Sequence, residues 1–109
     1  MIYSAYRPMW IIAMFDLPVT SKLARKRATD FRRCLLDAGF MMLQYSVYAR
    51  HCESAESADA KRLHIRVNLP PDGSVRLLSV TDRQFGKMEH YLGKKRATTE
   101  DPPEQLLLF

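Results

Sequence analysis

Apolar residues run without a break from Met9 to Phe15, and the run ends on one carboxylate, Asp16. Alternation along a strand puts Met9, Ile11, Ala13 and Phe15 on one side and Trp10, Ile12 and Met14 on the other. Both sides are apolar, so this segment reads as a central strand covered on two faces. The period then changes. From about Ser21 to Ala38 the apolar residues Leu23, Ala24, Ala28, Phe31, Cys34, Leu35 and Ala38 share one face of a helix at ~100° per residue. Thr20 or Ser21 is placed to cap its start, and Gly39 to end it in the left-handed conformation. Arg27 falls within the apolar arc, which requires it either to snorkel outward or to meet an interface.

The stretch FMMLQYSVYARH, Phe40 to His51, is too long and too evenly apolar for one half-exposed strand. A tight turn or bulge at Gln44–Ser46 divides it into two strands. A second helix follows, capped by Ser54 or Ser57 and carried to Leu69. The cluster Pro70-Pro71-Asp72-Gly73 is a turn, Ser74 to Thr81 a strand, and Lys87 to Leu92 a further strand ending at Gly93. The order β-α-β-β-α-β is the ferredoxin-like split βαβ, an α+β fold with an antiparallel sheet and both helices on one face. Here it carries a C-terminal fifth strand and a tail. The domain spans residues 1–93, and the tail residues 94–109, of which Lys94 to Pro103 is linker-like. The bare face of such a sheet needs a cover. Trp10, Met14, Leu77 and Tyr48 are the residues expected there, which points to a homodimer joined through the sheet, with the strand at Lys87–Leu92 crossing to the other subunit.

Charge sharpens the picture. Residues 1–50 hold eight Lys and Arg against three Asp, which accounts for the whole +5 of the chain, while residues 51–109 are balanced. The excess gathers on the first helix, where Lys22, Arg25, Lys26, Arg32 and Arg33 line the face opposite the apolar one. Such a row is either a solvated face or a track for phosphates. With 109 residues the chain makes one domain able to bury a core. No apolar run approaches the ~20 residues of a membrane span, and the N-terminus has no signal-peptide core. Cys34 and Cys52 read as reduced thiols of a cytoplasmic protein, and neither makes zinc-ligand spacing with His51, His64 or His90.

Asp16 is the chemical candidate. A carboxylate at the end of a buried strand is held firmly at the sheet edge, where a hard cation can meet a phosphate. The same residue type also caps backbone N–H groups in turns. Ser46 either orients a phosphate or a metal-bound water, or is a polar residue of the turn. The aromatic signature of an RNA-recognition strand is missing from SVYARHC, Ser46 to Cys52.

Taken together, MFDLP (Met14–Pro18), the basic helix, LQYSVYAR (Leu43–Arg50) and LPPDGSVRLLSVTDRQF (Leu69–Phe85) resemble the small CRISPR-associated adaptation protein family, Cas-two, in the form found in type II systems. The resemblance covers Met9 to Gly93 and rests on four pieces in order rather than on any single one. It implies a ferredoxin-like homodimer that works with a larger integrase, Cas-one, to capture double-stranded DNA fragments and insert them as spacers into the CRISPR array. It also implies a Mg²⁺-dependent endonuclease acting on single-stranded RNA or on DNA, with Asp16 as its catalytic and metal residue. One Mg²⁺ per dimer would be shared by the two Asp16 carboxylates. The alternative reading is a toxin-type ribonuclease of the VapD kind. The end of the chain is apolar at Leu106, Leu107, Leu108 and Phe109 behind Pro102-Pro103, and is expected either to dock on the integrase or to fold back on its own dimer.

Overall fold

The computed structural model describes residues 7–102. Strand β1 spans Met9–Asp16, helix α1 Lys22–Asp37, β2 Met41–Gln44, β3 Val47–Cys52, α2 Ala55–Val67 and β4 Ser74–Thr81. A short helix α3, Asp82–Gly86, and a hairpin of β5, His90–Leu92, and β6, Lys95–Ala97, follow. The main sheet has the order β2-β3-β1-β4, and every neighbouring pair is antiparallel. This is the ferredoxin-like α+β arrangement expected, with β1 central.

Local chemistry sets the boundaries. Ser21 caps α1, its hydroxyl accepting from the Ala24 N–H at 3.0 Å, and Ser54 caps α2 through the Ser57 N–H at 3.1 Å. Each cap satisfies an N–H that has no partner within the first turn. Gly39 ends α1 at φ +87°, a conformation that side chains disfavour. β2 and β3 are joined by the turn at Tyr45–Ser46, with a register shift between Met42 and Gln44.

The two faces of the sheet carry separate clusters. Ile11, Ala13, Phe15 and Tyr48 pack with Phe31, Leu35 and Ala38 of α1 and with Ile65 of α2. On the reverse face Trp10, Ile12 and Ala49 pack with Phe85 of α3, and Met14, Met41, Leu43, Val47, Val80 and Met88 are partly buried against them. Phe85 lies flat on Trp10, centroids 3.9 Å apart, and the Trp10 indole N–H donates to Asp82 Oδ1 at 2.8 Å.

Four expectations need correction. Leu77 and Tyr48 lie on the helix face, because both stand opposite Ala13 in the register; only Trp10 and Met14 of the four named residues are on the reverse face. Leu23 is 55% exposed although its angle places it in the apolar arc of α1. The segment after β4 begins as a helix, and only His90–Leu92 of Lys87–Leu92 is strand. Those three residues pair with β6, inside the stretch read as linker-like, and not with the main sheet. The tail residues Leu106, Leu107, Leu108 and Phe109 lie outside the described residues.

Arg27 finds an account in the fold. It reaches over the turn after α2 and pairs with Asp72 at 3.5 Å. Both side chains are largely exposed, so the pair contributes little to stability.

Candidate functional site

Asp16 closes β1 at an exposed position. The alternation that sends Phe15 into the helix-side core turns Asp16 toward the reverse face, the side of Trp10, Ile12 and Met14. Its backbone is held from both sides. On β4 it stands opposite Ser74. On the β3 side the preceding residue, Phe15, donates its N–H to the Ser46 carbonyl at 3.0 Å.

Gly73 completes the support. It sits at φ +93°, and a Cβ built there would lie 2.7 Å from the Asp16 carbonyl oxygen and 2.8 Å from Leu17 Cδ2. Only a residue without a side chain lets the turn approach the end of β1 so closely. Gly73 therefore belongs to the site as the residue that lets the turn close against the end of β1 at Asp16. The turn is legible in the sequence, but its contact with Asp16 is not.

Ser46 sits at φ +68° in the two-residue turn, a left-handed conformation that is uncommon outside glycine. Its carbonyl, not its hydroxyl, makes the contact with β1. Among the described residues no group of three or more His, Cys, Asp or Glu side chains that could hold a metal ion assembles, and Asp16 is the carboxylate that ends β1.

The basic residues of α1 divide into two kinds. Lys22, Arg25, Lys26 and Arg33 are exposed. Lys26 pairs with Asp30 one turn on, at 2.9 Å, and Arg25 donates to the Val19 carbonyl at 3.2 Å. Arg32 is half-buried. Its guanidinium lies over the Tyr45 ring at 4.6 Å from the centroid and over Phe15 at 5.8 Å. Angular spacing on a helix does not reveal this, because the aromatic partners come from β1 and from the β2–β3 turn.

The two cysteines are free. Burial, and then the Asp37 carboxylate, push the Cys34 thiol up, and burial outweighs its basic neighbours at Cys52. Thiols held in the protonated form are poor nucleophiles. The described residues contain no helix long and apolar enough to cross a membrane.

An antiparallel ferredoxin-like sheet with helices on one face, a strand-end carboxylate on the other and a basic helix alongside defines a small α+β domain of the kind the sequence resembled. The family model described as CRISPR associated protein Cas2 matches residues 9–88. The chain belongs to that family. A protein of Parvibaculum lavamentivorans named CRISPR-associated endoribonuclease Cas2 is 50% identical over 101 residues, covering 93% of this chain and 100% of the relative. Proteins of the same name from Flavobacterium psychrophilum and Paracidovorax avenae are 46% and 42% identical. They share 95% and 97% of this chain and 90% and 98% of their own lengths.

Proposed function

We propose that this chain is a CRISPR adaptation subunit that forms a homodimer, binds nucleic acid along α1, and cleaves phosphodiesters in Mg²⁺ through Asp16. The observation that carries the reading is the position of Asp16: an exposed carboxylate on the sheet face that the helices leave open. The names of the relatives supply the reaction class, endoribonuclease.

The residues present suit magnesium. This ion takes oxygen ligands, keeps several waters and is often held by one or two carboxylates. One chain contributes one carboxylate at the strand end, and a second copy related by a two-fold axis contributes another. When bound, Mg²⁺ would supply charge neutralisation on the phosphate and a more acidic water. The chain's own part is to hold Asp16 still, through β4 and Gly73 on one side and Ser46 on the other, and to draw phosphates in. Lys22, Arg25, Lys26 and Arg33 do the latter through charge, without reading bases.

The second copy has a reason to bind. Leu78, opposite Ile12 on the reverse face, is 48% exposed, and Met14 and Val47 are only partly buried there. Covering this patch with its own image removes apolar surface from water. Family membership favours this reading over a free-standing toxin-type ribonuclease, and the partner it implies is the Cas-one integrase, which the dimer would bridge while DNA fragments are inserted as spacers. A spacer-integration assay with that integrase tests the role. Wild type is expected to support integration and Asp16→Ala to retain it, because bridging needs shape and charge but not the carboxylate. Replacing Lys22, Arg25 and Arg33 together with Ala is expected to abolish it. Full integration by the triple variant would refute the proposed DNA track.

A further inference from the structure

Tyr45 is 74% exposed at the tip of the β2–β3 turn, the most exposed of the large hydrophobic side chains among the described residues. An aromatic ring left open to water at the tip of a turn beside the end of β1 calls for an account. The Arg32 guanidinium is stacked near one side of the ring, 4.6 Å from its centroid. Arg32 is half-buried and also lies over Phe15. A planar cation lying over one side of an aromatic ring leaves the opposite side as a flat surface. Ser46, next to Tyr45, is tied by its carbonyl to Phe15, the residue before Asp16.

We propose that Tyr45, backed by Arg32, is a stacking platform for an unpaired nucleobase, so that this turn receives single-stranded nucleic acid beside Asp16. Aromatic rings and guanidinium planes hold splayed bases of single strands largely irrespective of sequence. Bases inside a duplex are already stacked and offer a side chain no face. Arg25 lies seven residues before Arg32, two turns away on the same side of α1 and about 10 Å along its axis. It is exposed, so it offers a cation to a phosphate of the same bound strand. The proposal deepens the reading of Asp16 as the chemical centre and rests on it for the consequence of binding. The binding itself needs neither metal nor cleavage.

The test is anisotropy of a labelled oligouridine and of a blunt-ended duplex, titrated with the full chain in EDTA. Tyr45→Ala is expected to weaken single-strand binding about tenfold and duplex binding less than about twofold. Tyr45→Phe, which keeps the ring, is expected to bind like wild type. Unchanged single-strand affinity in Tyr45→Ala, or an equal loss on both ligands, overturns the platform. Tyr45→Trp provides a second measurement. Its added indole emission is expected to be quenched by the oligonucleotide, and no quenching overturns the proposal. Asp16→Ala assayed in parallel for cleavage in Mg²⁺ keeps the two readings apart. Full cleavage by that variant refutes the chemical centre and leaves the EDTA result on Tyr45 to stand or fall alone.

Discussion

The two faces of the sheet use the same strands and end differently. The helix face is finished within one chain: Ile11, Ala13, Phe31, Leu35 and Ile65 are all at or below 2% exposure. The reverse face is anchored only at one end, where Phe85 covers Trp10. Farther along it Met14 and Val47 are partly buried and Leu78 is half-exposed. The same alternation that builds the closed face delivers Asp16 to the unfinished one. A domain can thus keep its stability on one side of a sheet and its association and chemistry on the other. Substitutions on the first side should alter melting, and substitutions on the second should alter assembly and activity.

The largest effect is expected on the closed face. Phe31 is 2% exposed and meets Phe15 edge to face at 5.3 Å. Phe31→Ala should cost about 3–5 kcal/mol, read by urea unfolding. Next comes the support of the strand end. Gly73→Ala forces a side chain into a left-handed conformation and against the Asp16 carbonyl, and should cost about 1–3 kcal/mol. Loss of the α1 cap in Ser21→Ala should cost about 1 kcal/mol in the same experiment. On the open face, Leu78→Asp should change monomer stability by less than about 1 kcal/mol. It should nevertheless abolish a dimer in sedimentation at micromolar concentration. A wild-type chain that sediments only as a 12.7 kDa species would remove the homodimer from the account.

Much of this layout was legible before the fold was known. β1 and β4 could be placed because an uninterrupted apolar run and a clear turn cluster bound them. The helix starts could be placed because Ser21 and Ser54 are strong caps. What escaped depended on register or on brevity. Whether Tyr48 and Leu77 face the helices depends on how β3 and β4 align with β1, which alternation within each strand does not determine. α3 has five residues, too few to show a helical period, although its capping box of Thr81 and Gln84 stands in the sequence. β6 reads Lys95-Arg96-Ala97, a polar edge with no apolar alternation to announce it. The candidate site divides the same way. Asp16 could be singled out as a strand-end carboxylate, but its contact with Gly73 and the stacking of Arg32 on Tyr45 arise only when distant segments meet.

The smallest structural change bears on the central claim. Asp16 is exposed and ends its strand, so Asp16→Ala should move folding stability by no more than about 0.5 kcal/mol. Cleavage of a labelled single-stranded RNA in Mg²⁺ by wild type and by Asp16→Ala, with both proteins shown to sediment alike, is the direct test. The expected result is cleavage by wild type and none by the variant. Equal cleavage by the two proteins would contradict it.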